Sequence, residues 1–171
     1  NTALILLLLT CSHHVEAQHD LFTKTIKQLY AGGPISEQTW SSLQAQHQIP
    51  FVVKDSVAFL YRGEATSVSW VGDFNGWGYD KKFNPSGTRI PNTNFWLLKT
   101  SFPEDARLDY KIVIDNTQWI LDPENEHQQW SGVGGGSPNS ELRMPRWKEE
   151  TLVTSRRASE SGQLLTDKLL T

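Results

Sequence analysis

Apolar residues recur at helical spacing over residues 20–30. The positions that would share one side of this helix are Leu21, Phe22, Ile26 and Leu29. The sequence Ala31-Gly32-Gly33-Pro34 follows and is typical of a helix C-terminus, because Gly adopts the capping conformation and Pro cannot continue a helix. A second short helix is predicted from the N-cap Ser36 to about Gln46, before Ile49-Pro50.

From Phe51 onward the hydrophobic pattern changes to short stretches rich in β-branched and aromatic residues. Turn residues separate these stretches, and the alternation predicts strands at residues 57–62, 68–71, 95–101, 108–115, 118–121 and 140–144. The polar, Gly-rich sequence between Asp122 and Asn139 is predicted to be a surface loop. The expected fold is therefore mainly β, an antiparallel β-sandwich preceded by two short helices.

The two ends of the chain do not fit this pattern. Residues 3–9 form an apolar run too short to span a bilayer, and Val15-Glu16-Ala17 resembles a signal-peptidase site. We expect cleavage before Gln18 and export to the periplasm or the outside of the cell. A buried N-terminal helix and a lipoprotein signal through Cys11 are the alternatives. The chain starts without Met, so we expect that the start of the gene product is missing.

The C-terminal residues are charged and rich in Ser and Thr. They predict a linker and the truncated start of a further domain. The expected division is a signal-peptide remnant (1–17), a helical lead (18–50), the sandwich (51–147), and the linker with the start of the next domain (148–171).

Composition excludes several classes of protein. The 171 residues carry a net charge of −3 without a cluster of basic residues, so electrostatic binding to nucleic acid is not expected. With Cys11 as the single cysteine, neither an intrachain disulfide nor a thiolate metal site can form. Seven Trp, seven Phe and four Tyr must supply much of the core, and we assign Trp70 and Trp96 to it.

The most specific motif is the sequence Val71-Gly72-Asp73-Phe74-Asn75-Gly76-Trp77. Here Gly72 would permit close approach of the backbone, Asp73 and Asn75 favour turns, and Gly76 permits a positive φ. Such a turn would direct Phe74 inward and leave Trp77 at the surface.

This motif lies between Tyr61-Arg62-Gly63 and the later strand and turn sequences Asp109–Asp115 and Trp119–Pro123. Together they resemble the early-set immunoglobulin-like domain of carbohydrate-binding module family 48, over residues 51 to about 145. This family includes the glycogen-binding domain of the AMP-activated kinase β subunit. The resemblance implies an immunoglobulin-like form of the sandwich.

A narrower resemblance adds the two helices, the turn motif, Asp122-Pro123-Glu124-Asn125 and the sequence Pro138–Pro145. These features together resemble the N-terminal region of bacterial enterochelin-esterase-like proteins, in which the region precedes an α/β-hydrolase domain. The resemblance implies a non-catalytic accessory domain of an exported serine esterase. It would position or shape the active site of its own downstream catalytic domain and contact a glycan that carries the ester.

The chain itself carries no catalytic set that we can identify. A nucleophile elbow needs G-x-S-x-G, and the sequence around Ser137 lacks the final Gly and has Pro138 where the helix should begin. No histidine is predicted beside a suitable Ser and Asp. Catalytic residues of the full-length enzyme would therefore follow Thr171, and no cofactor is expected.

For glycan binding, four residues match the glucan-contacting pattern of the kinase module. The resemblance implies that Trp77 and Trp119 stack on sugar rings and that Lys111 and Asn139 bind hydroxyl groups. The alternative is that both Trp residues fill a core or an interface, and Trp130 could cover the catalytic domain.

We expect no metal site, because each candidate acidic residue has a better role in a local turn: Asp73, Asp115, Asp122 and Glu124. Two rival functions stay open. One is an independent glucan-binding module, and the other is a structural domain that forms an oligomer interface through its Trp-rich surface.

Overall fold

The computed structural model describes residues 20–46, 49–130 and 136–149. The predicted signal peptide and nearly all of the predicted start of a following domain lie outside these residues. Within them, no helix has both the length and the hydropathy needed to cross a membrane. The helices are α1 (residues 20–30) and α2 (Glu37–Ala45). The strands are β1 (Phe51–Val53), β2 (Ser56–Arg62), β3 (Val68–Gly72), β4 (Thr88–Arg89), β5 (Phe95–Ser101), β6 (Arg107–Ile114), β7 (Gln118–Ile120), β8 (Gln128–Gln129) and β9 (Asn139–Arg143).

The strands form two antiparallel sheets. Sheet 1 has the order β1-β2-β5-β4, and sheet 2 has the order β3-β6-β9-β8, with β7 paired to the C-terminal half of β6. The free edge of β3 is covered by the segment before β4, since the Trp70 amide donates to the Pro85 carbonyl oxygen at 2.9 Å. The predicted mainly β fold, a sandwich preceded by two short helices, is confirmed.

The inner core fills the space between the two sheets. It is built from alternate residues of the long strands, with ring contacts that join Phe59 to Trp70 and to Tyr110. Both Trp70 and Trp96 lie in this core, as predicted. The buried members are Val57, Phe59, Val68, Trp70, Trp96, Leu98, Phe102, Tyr110, Ile112, Ile114, Leu142 and Met144.

An outer core lies on the opposite face of sheet 1, beneath the two helices. Its buried members are Phe22, Ile26, Leu29, Trp40, Leu43, Ile49, Ala58, Leu60, Ile90, Phe95 and Leu97. Helix α2 begins at the predicted N-cap, where the Ser36 hydroxyl oxygen accepts from the Thr39 amide at 3.1 Å. The domain is therefore built in three layers, helices on sheet 1 on sheet 2, and sheet 1 is buried on both faces.

Most of the described residues between Asp122 and Asn139 are exposed, as predicted for a surface loop, but part of the segment is ordered against sheet 2. It contains the short strand β8, and the side chains of Asp122 and Asn125 are buried. These two side chains can be buried because they hydrogen-bond to strands of sheet 2. A polar composition predicted exposure here, but buried polar groups are tolerated when all of them find partners.

Candidate functional site

The turn after β3, Asp73–Gly78, is held by the side chain of Asn75. Its Oδ1 accepts from the amides of Gly72 and Gly78 at 3.0 and 3.1 Å, and its Nδ2 donates to the Trp70 carbonyl oxygen at 3.0 Å. With these bonds Asn75 satisfies three backbone groups while being fully buried. Its amide side chain is thus the centre of the turn.

The two glycines of this turn have the roles that the sequence predicted. A Cβ placed on Gly72 would lie 2.2 Å from the Asp109 carbonyl oxygen, so only glycine fits against β6 there. Gly76 has φ +54°, and a Cβ on it would meet no atom within 4 Å. Phe74 points inward onto Phe102, with ring centroids 5.2 Å apart.

Trp77 follows with φ +59°, a left-handed conformation that is uncommon for a residue with a side chain. Its indole Nε1 donates to Oδ1 of Asp73 at 3.2 Å. The other oxygen of Asp73 accepts from the Asp109 amide at 2.9 Å. The turn thereby fixes the indole beside β6 and leaves it partly exposed.

The four predicted glycan-contacting residues are carried by elements on one side of the molecule. In β6, Tyr110 and Ile112 face the inner core, so Asp109, Lys111 and Val113 face away from it. We call this side the outer face of sheet 2, formed by Val71, Asp109, Lys111, Val113, Trp119, Asn139, Glu141 and Arg143, with Trp77 at its edge.

Trp119 is the most accessible of the four. It lies opposite Val113 in the β6–β7 pair and is 50% exposed. By contrast, Lys111 is partly buried and its Nζ contacts the hydroxyl oxygen of Ser137. Asn139 is buried and its Nδ2 donates to Oδ2 of Asp109 at 3.3 Å. The structure thus presents two aromatic side chains on this face and binds the two polar ones to protein partners.

A cluster of charges lies beside these residues on the same face. The buried carboxylate of Glu141 accepts from Nη2 of Arg107 at 2.9 Å and also accepts from Nε of Arg143. Burial raises the pKa of this carboxyl, but the two guanidinium hydrogen bonds outweigh burial and hold the pKa below its ordinary value. Arg143 in turn lies over the ring of Trp147 at 4.9 Å.

A second polar cluster lies on the side of sheet 2 that faces the inner core, and the sequence did not predict it. Tyr110 donates to Oδ2 of Asp122 at 2.8 Å, and Asn125 donates to the Tyr110 hydroxyl oxygen at 3.0 Å. The segment 124–127 forms one wall of a cleft of about 300 Å³, with Ile49–Val52 on the other wall and Glu141–Arg143 beside them. The Asp-Pro-Glu-Asn sequence was the only feature that could have pointed to this cluster.

The described residues contain no catalytic serine–histidine pair. His127 is the one histidine among them, and its backbone hydrogen-bonds to Asn125 and Glu141. Those same ranges hold no group of three metal-ligating side chains. Asp115 accepts from Thr66 and Ser67 and closes a turn, as predicted for it.

The fold is shared with part of a known esterase. The ferric enterobactin esterase of Salmonella typhimurium matches with a TM-score of 0.54 and 17% identity, over 67% of this chain and 38% of that chain. An enterochelin esterase of Shigella flexneri matches with a TM-score of 0.45 and 18% identity, over 56% of this chain and 32% of that one. The aligned region thus spans less than two fifths of either esterase. No protein-family model and no curated protein matches the chain.

Proposed function

We propose that this chain is a non-catalytic accessory domain of a serine esterase. The observation that carries the proposal is the fold shared, over 67% of this chain, with the Salmonella ferric enterobactin esterase, whose chain is more than twice as long as the matched region. From that enzyme we extend only the reaction class, ester hydrolysis, to the protein that contains this chain.

In this proposal the catalytic Ser, His and acid follow Thr171, and the sandwich holds or shapes their active site. The outer face of sheet 2 is suited to that role, because it presents Trp119 half exposed and the charge of Glu141 on the same face is already paired with Arg107. Export, with removal of residues 1–17, belongs to the same proposal. Mass spectrometry of the mature protein would test it by showing whether Gln18 is the first residue.

The test compares two proteins on short acyl esters: residues 18–171, and the same chain extended through its natural downstream sequence. We expect turnover only from the extended protein. Ser137→Ala should leave that turnover unchanged, since Ser137 contacts Lys111 and not a histidine. Turnover by residues 18–171 that disappears in Ser137→Ala would overturn the proposal.

The accessory role itself is tested in the extended protein. Trp119→Ala should lower kcat/KM several-fold without unfolding the hydrolase domain, and Tyr79→Ala is the matched control. Tyr79 is the more exposed aromatic residue and lies outside the outer face of sheet 2. Equal kcat/KM for the two variants and the parent would contradict the role.

A second candidate function is glucan binding. The observation that favours it is the placement of Trp77 and Trp119, one held with positive φ and the other half exposed, on one side of the domain. Lys111 would offer its ammonium group beside them. Asn139, being buried and bonded to Asp109, would act by positioning that carboxylate.

Soluble glucans titrated against Trp fluorescence test this second function. We expect weak binding or none, because the accessory role needs the face beside the active site. Loss of one stacking partner costs roughly 0.5–1.5 kcal/mol, a several-fold change in affinity. Millimolar or tighter binding that Trp77→Ala or Trp119→Ala abolishes would favour the glucan-binding module instead.

A further inference from the structure

Asn75 and Gly76 form the one Asn-Gly pair in the sequence of this chain. Such a pair is chemically labile, because glycine has no side chain that would keep its backbone nitrogen away from the asparagine side chain. The Gly76 nitrogen can attack Cγ of Asn75, and Nδ2 then leaves as ammonia with the proton of the Gly76 amide. The product is a five-membered succinimide ring, which adds water and opens to aspartate or isoaspartate.

The backbone of the turn after β3 holds these reacting atoms apart. Closing the ring requires the Gly76 nitrogen to lie on the same side of the Cα–C bond of Asn75 as Cβ. The ψ of Asn75 is +24°, and in an L-residue this value places the nitrogen nearly opposite to Cβ. Rotation about this bond would also move the Asn75 carbonyl oxygen, which accepts from the Asp80 amide at 3.0 Å. The ring therefore cannot close while the turn is intact.

The side chain of Asn75 is held as firmly as its backbone. Nδ2 is the group that must leave, and it donates to the Trp70 carbonyl oxygen at 3.0 Å. Oδ1 is bonded to the amides of Gly72 and Gly78. Asn75 is also fully buried, so the water that opens the ring does not reach its Cγ atom. Both steps of the reaction thus require the turn to open.

The products of the reaction cannot restore the bonds of the amide. An aspartate side chain accepts hydrogen bonds but has no N–H group to donate to the Trp70 carbonyl oxygen. It would place a carboxylate oxygen against that carbonyl oxygen and would bury a negative charge. Isoaspartate would in addition lengthen the main chain by one methylene group inside the turn. Either product therefore disfavours the native turn.

We propose that Asn75–Gly76 is a deamidation site that the native turn keeps closed, and that a molecule modified there while the turn is open no longer regains the native turn. The reaction needs no enzyme and no reactant other than water. It removes molecules from the folded population each time the turn opens for long enough, so it limits the lifetime of the folded domain. The inference does not depend on the proposed esterase role.

The test incubates the chain at mildly alkaline pH in buffer and in guanidinium chloride, and follows deamidation by mass spectrometry of a proteolytic peptide that contains Asn75. The rate in buffer should be at least about tenfold lower, because opening the turn breaks three buried hydrogen bonds. After the denaturant is removed, the deamidated peptide should be enriched in the molecules that do not refold. Equal rates in the two solutions, or equal deamidation of refolded and unfolded molecules, would overturn the proposal.

Asp73→Ala tests whether loosening the turn is sufficient. Asp73 binds the turn to the Asp109 amide and to the Trp77 indole but makes no bond to Asn75. The rate of deamidation in buffer should rise several-fold in this variant, whereas the rate in guanidinium chloride should stay that of the parent. A rate in buffer equal to that of the parent would contradict control by the turn.

Asn75→Asp reproduces one product of the reaction. Its melting temperature should lie at least about 5 °C below that of the parent, because a buried donor is lost and a charge is buried. Asn116→Asp is the matched control, since Asn116 is an exposed turn residue that also has a positive φ, and it should melt close to the parent. A melting temperature of Asn75→Asp equal to that of the parent would show that the product regains the turn, and would overturn the proposal.

Discussion

Phe59 and Leu60 are neighbours in β2 and both are fully buried, yet they belong to different cores. The ring of Phe59 lies between the two sheets against Trp70 and Tyr110, whereas Leu60 lies beneath the helices with Leu43 and Leu97. If one face of sheet 1 were solvated, only one residue of this pair would be buried. The helices are therefore a layer of the domain, because they bury a whole face of sheet 1.

The two cores also differ in the groups that lie at their margins. The inner core ends at the buried cluster of Tyr110, Asp122 and Asn125, which is bound entirely by hydrogen bonds. The outer core ends at Arg62, whose guanidinium lies over the rings of Trp40 and Phe95 and pairs with the exposed carboxylate of Glu37. A change in pH should therefore alter the stability of the inner core through the buried Asp122 carboxyl group. It should alter that of the outer core only through the exposed Glu37 carboxyl group at its rim.

The largest expected effect comes from truncating the two neighbours in β2. Phe59→Ala should lower the free energy of unfolding by about 3–5 kcal/mol and Leu60→Ala by about 2–5 kcal/mol, as is usual for fully buried side chains. Urea unfolding followed by Trp fluorescence and by circular dichroism measures both values.

The result also tests whether the two cores unfold together. If the helices only preceded the sandwich, Leu60→Ala would cost under about 1 kcal/mol. Coincident fluorescence and circular dichroism transitions for both variants would support one cooperative unit. Separate transitions in Leu60→Ala would show that the helical layer detaches first.

The next effect concerns the buried carboxyl group of Asp122 at the margin of the inner core. The pKa of Asp122 rises on folding from its ordinary value of 3.8 to about 6, so the folded state binds this proton more tightly. The resulting stabilisation is fully present below pH 3.8 and is lost as the pH rises through 6. The loss should amount to about 2–3 kcal/mol between about pH 4 and pH 7.

Unfolding of the parent and of Asp122→Asn at several pH values isolates this contribution. Subtracting the two curves removes the pH dependence that other carboxyl groups contribute to stability. Asp115 is one of these: hydrogen bonds lower its pKa, so its contribution changes with pH in the opposite direction. The parent should lose stability relative to the variant as the pH rises. A difference that is constant with pH would contradict the assigned pKa.

A smaller effect is expected at a position outside both cores. Gly76→Val places a β-branched residue at φ +54°, where no neighbouring atom lies within 4 Å of the new Cβ. The cost is therefore backbone strain alone, about 1–3 kcal/mol. Thermal unfolding measures it, and Gly63→Val is unsuited as a control, since its Cβ would collide with Tyr61. An unchanged melting temperature would mean that the turn relaxes freely.

Two features of the sequence predicted the inner core: the alternation of apolar residues in 108–115 and the turn motif around Gly76. Both could be predicted because they depend only on local geometry. The outer core was not predicted as such. The run Val57-Ala58-Phe59-Leu60 is apolar on both faces, and the two predicted helices had apolar sides without an assigned partner. The Asp122 cluster could not be predicted either, since it joins β6, β9 and a turn that are separate in sequence.

The smallest expected effect is at the rim of the outer core. Glu37 accepts two hydrogen bonds from Arg62, which hold the pKa of Glu37 below its ordinary value, but its side chain is largely exposed. Exposed pairs contribute little because water and salt screen them. Glu37→Gln should therefore lower the melting temperature only slightly, and added salt should reduce the difference.

Arg62→Met is the informative comparison with Glu37→Gln. It removes the same ion pair and also the guanidinium that covers Trp40 and Phe95 at 5.7 and 5.5 Å. Contacts of this kind contribute about 0.5–1 kcal/mol each at partly exposed sites and persist in salt. Arg62→Met should thus cost more than Glu37→Gln, and the gap should survive high ionic strength. Equal effects would mean that the ion pair, and not the packing of Arg62 on the two rings, closes the outer core.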